Sequence, residues 1–271
     1  MASPLATTSS ERALAPAWAE LRARRRAGLV AYLTAGHPTP ATSLEAFRAA
    51  DELADVIEVG VPFSDPLADG PTIQRSSFEA LAQGMTLGRT LELVDRAAFR
   101  RPVVLFSYLN PVLRYGVAPF LRDAAALGVA GLLLTDLPAG SDPGIEEALA
   151  ASPLDLIRLL APTTPTQRLD RAVAGARGFL YLVSRLGVTG AQAALAPDLA
   201  DSVARVRAAS PLPIAVGFGL STPVQVRQVA SLADGVVVGS ALVERLGREG
   251  VVGARTLLGG LAAALDEAPR P

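Results

Sequence analysis

One glutamate stands inside an otherwise apolar stretch, Val56-Ile57-Glu58-Val59. A carboxylate in a buried strand loses the solvation of its charged form, so burial raises its pKa unless a partner compensates. A carboxyl group that titrates near neutrality can donate and accept a proton within one reaction cycle. We therefore expect Glu58 to act in general acid/base catalysis, with a solvated glutamate at the strand rim as the alternative.

A second carboxylate, Asp69, follows in the loop after this stretch. We expect Asp69 to face Glu58, where two carboxylates in different surroundings divide the proton-transfer and substrate-orienting roles. A magnesium site on the same pair is the competing interpretation, although two carboxylates alone are weak evidence for one. Asp65, between Ser64 and Pro66, is explained more simply as a turn residue that holds the loop.

Glycines follow three successive apolar stretches in the second half of the chain: Gly190, then Gly217-Phe218-Gly219, then Gly239-Ser240. Backbone N–H groups in such loops, together with the first turn of a helix, bind phosphate without any lysine. The segment Ala241–Arg245 has the pattern of a short helix. The sequence therefore predicts a phosphate pocket at these three ends.

Aromatic and polar residues also stand in or near the apolar stretches. Four aromatic residues either line an apolar pocket or simply pack in the core: Tyr32, Tyr108, Tyr181 and Phe218. The loop from Ser184 to about Pro197, which contains Thr189, has the length of a lid, with an ordinary surface loop as the alternative. Polar residues end two further stretches: Asn110 follows the third, and Thr135 and Asp136 follow the fourth.

The composition removes several kinds of chemistry. The chain of 271 residues has no cysteine, one histidine (His37) and no lysine, since all 25 basic residues are arginine. A thiol nucleophile, a Schiff-base lysine, a zinc–thiolate site and a His-x-x-x-His pair are thereby excluded. A net charge of −1 gives no field that would attract nucleic acid or an anionic membrane. Carboxylates, hydroxyls, arginines, backbone dipoles or an oxygen-bound metal remain.

Neither a membrane span nor a secretory signal is predicted. The longest apolar stretch, around Ala124–Leu134, is about half of the ~20 residues that a spanning helix needs. No apolar segment precedes the basic run that ends at Arg26. We expect a cytoplasmic protein with a flexible tail over residues 1–10. We interpret Arg24–Arg26 as the solvated end of an N-terminal helix.

The elements that must position these residues alternate between apolar stretches and amphipathic segments. The apolar stretches are continuous, which is typical of parallel strands buried on both faces. Eight strand–helix units in about 240 residues predict an α/β fold, a (β/α)₈ TIM barrel, with chemistry at the C-terminal strand ends. We expect one domain over residues 1–271, with an extra N-terminal helix and a short helix after strand 8; a doubly wound open sheet is the alternative. The predicted strands are Leu29–Thr34, Val56–Val59, Val103–Tyr108, Gly131–Leu134, Leu156–Leu160, Phe179–Val183, Ile214–Val216 and Val236–Val238. The predicted helices are Glu11–Arg26, Thr42–Leu53, Thr86–Ala98, Ala118–Leu127, Pro143–Ala150, Thr166–Ala174, Pro197–Ala208, Thr222–Ser231 and Val251–Leu265.

The run from Glu58 to Gln74 resembles the signature of the tryptophan synthase alpha chain family, and it reads Glu58-Val59-Gly60-Val61-Pro62-Phe63-Ser64-Asp65-Pro66-Leu67-Ala68-Asp69-Gly70-Pro71-Thr72-Ile73-Gln74. Three further motifs stand in the order expected of that family: Tyr181-Leu182-Val183-Ser184-Arg185-Leu186-Gly187-Val188-Thr189-Gly190, Gly217-Phe218-Gly219 and Gly239-Ser240-Ala241. The likeness covers nearly the whole chain from about Leu29 onward.

The resemblance implies a lyase of L-tryptophan biosynthesis that cleaves indole-3-glycerol phosphate to indole and glyceraldehyde 3-phosphate by a retro-aldol reaction. It implies Glu58 as the general acid/base and Asp69 as the carboxylate that holds the indole N–H. It implies neither a metal nor a cofactor in this chain. The substrate-binding positions that it implies are Tyr32 and Tyr108 at the indole, Tyr181 near Glu58, Thr189 in the lid loop, and Gly190, Phe218, Gly219, Gly239 and Ser240 at the phosphate.

The resemblance also implies a partner, a beta chain with pyridoxal phosphate that takes indole through a tunnel in an α₂β₂ complex. The contacts with that chain would include Pro62, Asp65, Pro66 and Asn110. Two residues depart from the family pattern: His37 stands where Asp or Tyr is more common, and Leu186 fills a lid position often held by a smaller residue.

Three other functions remain open at this point. A stand-alone indole-glycerol-phosphate lyase would share the motifs of the active site. Another sugar-phosphate barrel enzyme, such as an isomerase, would use the same phosphate loops. A non-catalytic regulatory partner would only activate a beta chain.

Overall fold

Eight parallel strands close into a barrel in the computed structural model, which describes residues 14–184, 198–217 and 219–268. Each strand pairs with the next one along the chain, and β1 pairs with β8 to complete the ring. The predicted (β/α)₈ barrel is therefore confirmed, and the open sheet is wrong. The strands are β1 (Gly28–Thr34), β2 (Val56–Gly60), β3 (Val103–Ser107), β4 (Gly131–Leu134), β5 (Asp155–Leu160), β6 (Leu180–Val183), β7 (Ile214–Gly217) and β8 (Gly235–Val238).

Helices follow the strands and form the outer layer. The last helix is broken at Gly250, whose backbone has φ 66° and ψ −164°, so residues 240–249 form a separate short helix. This break matches the expected short helix after strand 8, and the expected N-terminal helix is present as well. The described helices are α1 (Leu14–Ala23), α2 (Pro40–Leu53), α3 (Pro71–Ala82), α4 (Leu87–Ala97), α5 (Leu109–Tyr115), α6 (Val117–Ala126), α7 (Pro143–Ala151), α8 (Thr166–Ala172), α9 (Leu199–Ala209), α10 (Pro223–Ala230) and α11 (Ser240–Asp266).

Both faces of the strands are buried. Side chains such as Val30 and Val104 point into the barrel, and their neighbours Leu29 and Leu105 pack against the helices. Successive side chains of a strand point to opposite faces, so burial of both faces requires a continuous apolar sequence. Glu58 lies on the same face as Val56 and therefore points into the barrel, level with Tyr32 of β1 in the strand register.

Helix α1 closes the N-terminal end of the barrel. The indole of Trp18 packs against the ring of Phe179, with 5.5 Å between ring centroids. Trp18 also lies against Gly28 and Gly235, the first residues of β1 and β8, and Leu21 is buried beside it. The large apolar side chains of one helix thus fill the end of the barrel opposite to Tyr32 and Glu58.

The arginine run after α1 corrects one expectation. Arg24 is exposed, as a solvated helix end should be, but Arg26 is only 9% exposed. The guanidinium group of Arg26 forms ion pairs with Asp55 and Asp266. Asp55 also accepts the backbone N–H of Leu29 at 2.7 Å. Arg26 is buried because two distant segments bring carboxylates to the start of β1, which a local sequence pattern does not reveal.

Crossing a bilayer takes a long apolar helix, and no helix in the described ranges is both long and apolar enough to do so.

Candidate active site

Glu58 is a fully buried carboxyl group that makes no hydrogen bond to the other described residues. Its side chain is 0% exposed, and neither carboxylate oxygen has a hydrogen-bond partner among the described residues. Burial alone raises the pKa of Glu58 from 4.5 to about 8. Glu58 is therefore mainly protonated at neutral pH.

A cavity at the C-terminal end of the barrel contains most of the residues predicted for the site. Its lining comprises Tyr32, Glu58, Asp69, Gly70, Ile73, Phe106, Tyr181, Gly219, Gly239 and Ser240. The predicted Thr189, Gly190 and Phe218, as well as Leu186, lie outside the described residues. Tyr108 is absent from the lining and stands behind Asp69, to which its hydroxyl is hydrogen-bonded.

Sequence reasoning missed two apolar residues of this lining. Phe106 lies on β3 with its ring edge-on to Tyr32, at 5.4 Å between centroids. Ile73 lies in the first turn of α3. Phe106 stands two positions before Tyr108, so the period of a strand places both on one face. That spacing was a usable signal, whereas the position of Ile73 depends on a helix that was not predicted.

Asp69 is the second carboxylate of the cavity. Burial raises the pKa of Asp69 to about 6, and the hydrogen bond from Tyr108 acts in the opposite direction. The backbone of Asp69 is held at both ends, because its N–H donates to the carbonyl of Pro66 at 3.3 Å and its carbonyl accepts the Gln74 amide at 2.9 Å. Near pH 7 Asp69 is mainly ionised while Glu58 is mainly protonated, so the two carboxyl groups are suited to different tasks.

Two tyrosines reach the cavity over glycines of the neighbouring strand. A β-carbon built on Gly60 would lie 2.2 Å from the hydroxyl oxygen of Tyr32, and one built on Gly217 would lie 2.2 Å from that of Tyr181. Burial raises the pKa of both tyrosines well above 10, so both hydroxyls stay protonated. Glycine is thus required on β2 and β7 because these rings occupy the space of a β-carbon there.

The start of α11 offers free backbone donors beside the cavity. Gly239 is the N-cap of this helix, and no side chain caps it. By contrast, Thr222 and Gln225 form a capping box that occupies the first donors of α10. A helix N-terminus with free N–H groups attracts an anion. Ser240 and Gly219 also border a groove of about 350 Å³, so this position has room for a phosphate group.

His37, the departure noted in the sequence, lies outside the cavity. It is buried between α3 and α11, and its Nδ1 is 2.9 Å from a carboxylate oxygen of Glu79. Burial lowers the pKa of His37, although the Glu79 carboxylate acts in the opposite direction. Within the described ranges, no three side chains of His, Asp or Glu converge as metal ligands.

The fold and the site together define a class. A closed (β/α)₈ barrel with two buried carboxyl groups in a cavity at the C-terminal strand ends is typical of a barrel enzyme that uses acid/base chemistry. The family model for the tryptophan synthase alpha chain matches residues 18–258. The chain belongs to the tryptophan synthase alpha chain family.

Individual relatives agree with this assignment. The chain is 49% identical over 235 residues to the tryptophan synthase alpha chain of Caulobacter sp. (strain K31), covering 84% of this chain and 85% of the relative. It is 48% identical over 258 residues to that of Geobacter sp. (strain M21), covering 92% and 95%.

Solved structures show the same fold. A chain of Mycobacterium tuberculosis tryptophan synthase superposes with a TM-score of 0.87 at 42% identity, covering 93% of this chain and 98% of the other. Tryptophan synthase subunit alpha from Legionella pneumophila str. Paris gives 0.85 at 34% identity, covering 94% and 98%. The chain is accordingly a carbon–carbon lyase of tryptophan biosynthesis, which cleaves indole-3-glycerol phosphate to indole and glyceraldehyde 3-phosphate.

Proposed function

We propose that Glu58 is the general acid/base of this cleavage and that Asp69 binds the indole N–H. The observation that carries the proposal is the isolation of Glu58, whose two carboxylate oxygens lack hydrogen-bond partners among the described residues. A structural glutamate would be paired, because an unsatisfied buried polar group costs about 1–3 kcal/mol and an unpaired buried charge about 3–5 kcal/mol. A carboxyl group that exchanges a proton with a bound substrate must instead be free of hydrogen bonds to the protein.

The reaction needs a proton on indole C3 and the removal of a proton from the glycerol hydroxyl next to the breaking carbon–carbon bond. Protonated Glu58 gives its proton to C3, and the ring nitrogen becomes positively charged. Asp69 stabilises this charge because it is ionised and in contact with the N–H. Ionised Glu58 then takes the hydroxyl proton. The O–H electrons form the aldehyde C=O, and the electrons of the broken bond return to the indole ring. Glu58 ends the cycle protonated.

The remaining residues of the site bind the two ends of the substrate. We assign the indole to the pocket of Tyr32 and Tyr181, which is completed by Phe106. Tyr108, which was expected at the indole, stands behind Asp69 instead. We assign the phosphate to the backbone N–H groups at Gly219, Gly239 and Ser240, next to the free start of α11. Gly190 and Phe218 belong to the proposed phosphate site and Thr189 to the proposed lid, although all three lie outside the described residues.

Replacement of Glu58 by Gln tests the proposal. Glutamine has nearly the same shape and cannot exchange a proton with the substrate, so we expect indole formation to fall by about 10²–10⁴-fold. Single-turnover indole release measures this directly. Glu147→Gln is the matched control, because Glu147 is an exposed residue of α7. Unchanged activity of Glu58→Gln would overturn the mechanism.

We also propose that the chain works with a beta chain in an α₂β₂ complex, and that pyridoxal phosphate belongs to that partner. The structural relative from M. tuberculosis is a tryptophan synthase. Among the expected contacts, Asp65 and Asn110 are exposed, whereas Pro62 and Pro66 are buried and shape the loop. A cytoplasmic location is proposed from the biosynthetic role of the family.

An assay of indole formation with and without a beta chain tests the partnership. Strong stimulation by the beta chain is the expected result. High turnover without a beta chain would identify a stand-alone lyase, and no lyase activity under either condition would identify a regulatory partner only.

A further inference from the structure

The end of β4 carries two polar residues, Thr135 and Asp136, that lie outside the cavity lining and have no part in the proposed mechanism. Asp136 is exposed and Thr135 is half-buried. Both lie one strand beyond Tyr108 in the barrel, because β4 pairs with β3. Their hydrogen bonds connect them to Asp69 through Tyr108.

The hydroxyl of Tyr108 makes three contacts. Its oxygen accepts the backbone N–H of Ala68 at 2.9 Å, and it is hydrogen-bonded to the hydroxyl of Thr135 and to the carboxylate of Asp69. A phenol has two lone pairs and one proton. The Ala68 N–H occupies one lone pair, and the Thr135 hydroxyl, which also reaches the Ser107 carbonyl at 3.5 Å, shares its proton with the other. The phenol proton is therefore left for the carboxylate of Asp69.

The backbone of Tyr108 is held by the same strand end. Tyr108 is the N-cap residue of α5, but its side chain does not cap the helix. Instead, a carboxylate oxygen of Asp136 accepts the backbone N–H of Leu109 at 2.7 Å. The backbone N–H of Thr135 donates to the carbonyl of Ser107 at 3.1 Å. The peptides on both sides of Tyr108 are thus tied to β4.

We propose that Thr135 and Asp136 are positioning residues of this enzyme, which hold Tyr108 so that its hydroxyl fixes Asp69 at the indole nitrogen. This inference rests on the proposed role of Asp69. The loop of Asp69 has neither helix nor strand over residues 61–70. The position of its carboxylate therefore depends on contacts from the rest of the barrel, and the Tyr108 hydroxyl contacts both that carboxylate and the backbone N–H of Ala68.

The test compares kcat/KM for indole-3-glycerol phosphate as a function of pH in the full-length chain. Tyr108→Phe removes the bond to Asp69, so we expect kcat/KM to fall about 10-fold and the acid limb to move to higher pH. Asp136→Ala is expected to lose about 3- to 10-fold with a shift in the same direction. Asp136→Asn keeps an oxygen acceptor for Leu109 and should retain most of the activity.

Two further variants separate positioning from plain loss of stability. Asp142 caps α7 by accepting the N–H of Ile145 at 3.0 Å, so Asp142→Ala loses the same kind of cap away from Tyr108. We expect it to leave kcat/KM and its pH profile unchanged. Thr135→Val removes the hydroxyl with little change of volume and serves if Asp136→Ala does not fold. The other titratable groups that face Asp69, namely Tyr32, Glu58 and Tyr181, stay in place in every variant.

A double-mutant cycle decides whether Asp136 acts through Tyr108. If it does, Asp136→Ala has no further effect on kcat/KM in the Tyr108→Phe background. Equal losses in both backgrounds, or normal kinetics of Asp136→Ala and Thr135→Val, would overturn the inference. Asp69→Asn distinguishes this failure from that of the proposed function, because full activity of Asp69→Asn would refute the role of Asp69 itself.

Discussion

The hydroxyl oxygen of Tyr32 occupies the space that the β-carbon of any residue other than glycine would need at position 60, since the two positions are only 2.2 Å apart. Tyr181 and Gly217 repeat this relationship on the other side of the barrel. In each case the tyrosine side chain extends to the next strand. The glycine there stands two residues after the residue that pairs with the tyrosine in the strand register. The mouth of the barrel is thus built from two matched pairs.

Substitution of Gly60 by Ala should therefore damage both stability and catalysis. The added methyl group collides with the Tyr32 ring as well as its hydroxyl, so we expect a loss of about 1–3 kcal/mol in the free energy of unfolding. Urea denaturation measures this loss, and kcat/KM should fall because Tyr32 is displaced. Gly259→Ala is the control: its β-carbon meets no atom within 4 Å, and an alanine in a helix should stabilise by about 0.5–1 kcal/mol. Equal effects of both variants would contradict the explanation.

The pH dependence of kcat/KM should be bell-shaped. The proposed mechanism requires ionised Asp69, with a pKa of about 6, and protonated Glu58, with a pKa of about 8. We therefore expect a rise near pH 6 and a fall near pH 8. The substrate phosphate also titrates near pH 6 and contributes to the same rise. The pH profile of the residual activity of Asp69→Asn separates the two, because an acid limb that remains in this variant is due to the phosphate. Activity that still increases above pH 9 would show that the free enzyme needs ionised Glu58.

Glu58 should also make the folding stability depend on pH. Its pKa is about 8 in the folded chain and 4.5 when it is exposed, so between these values the folded state binds more protons than the unfolded state. Stability conferred by neutral Glu58 is therefore lost as pH rises, by at most about 1.4 kcal/mol per pH unit. We expect Glu58→Gln to gain roughly 3 kcal/mol over the wild type between pH 5 and pH 8. Urea titrations at several pH values measure this gain, and a pH-independent difference would argue against a raised pKa.

A negative charge at the start of α11 should weaken substrate binding without weakening the fold. Ser240→Asp places a carboxylate where the phosphate is proposed to bind, so we expect KM to rise at least about 10-fold. The same carboxylate favours the helix, because an anion in the first turn typically stabilises by about 0.3–1 kcal/mol. Thr166→Asp at the start of α8, whose N-cap also lacks a side-chain bond, is the control. An unchanged KM of Ser240→Asp would place the phosphate elsewhere.

The exposed loop after β2 allows a test of the proposed partnership. Leu67 is 94% exposed, and Leu113 on α5 is 50% exposed near Asn110. Leu67→Asp should reduce stimulation by a beta chain at least about 10-fold, because a buried unpaired carboxylate weakens an interface by several kcal/mol (about 2–5). Indole formation without the beta chain should stay within about twofold of wild type, since exposed substitutions rarely disturb the fold. Full stimulation of the variant would exclude this loop from the interface.

The strands were predictable to within one or two residues, and the reason is their burial on both faces. Two helices were not predicted. Helix α3 (Pro71–Ala82) buries Ser76 and Ser77 beside Ile73 and Ala80, so its inner face lacks the apolar periodicity that marks a helix. Helix α5 (Leu109–Tyr115) has seven residues, of which Val112 alone is buried. A helix whose buried face is short or made of small residues shows little apolar periodicity in the sequence.

The candidate site was predictable where residue type and strand position suffice. Glu58 and Asp69 stand out because a carboxylate in an apolar strand and a carboxylate in the loop after it are unusual. The hydrogen bonds of Tyr108 were not predictable, since they join residues 68, 69 and 135 across three strand ends. The expectation that Arg26 is solvated is wrong for the same reason, because its two carboxylate partners come from distant segments.

Closure of one end of the barrel by α1 determines the side from which Glu58 is reached. Trp18 and Phe179 are packed together at the N-terminal end of the barrel, and the cavity of Tyr32 and Tyr181 lies at the C-terminal end. A substrate therefore meets Glu58 from the C-terminal end, and the loops of that end determine how much water accompanies it.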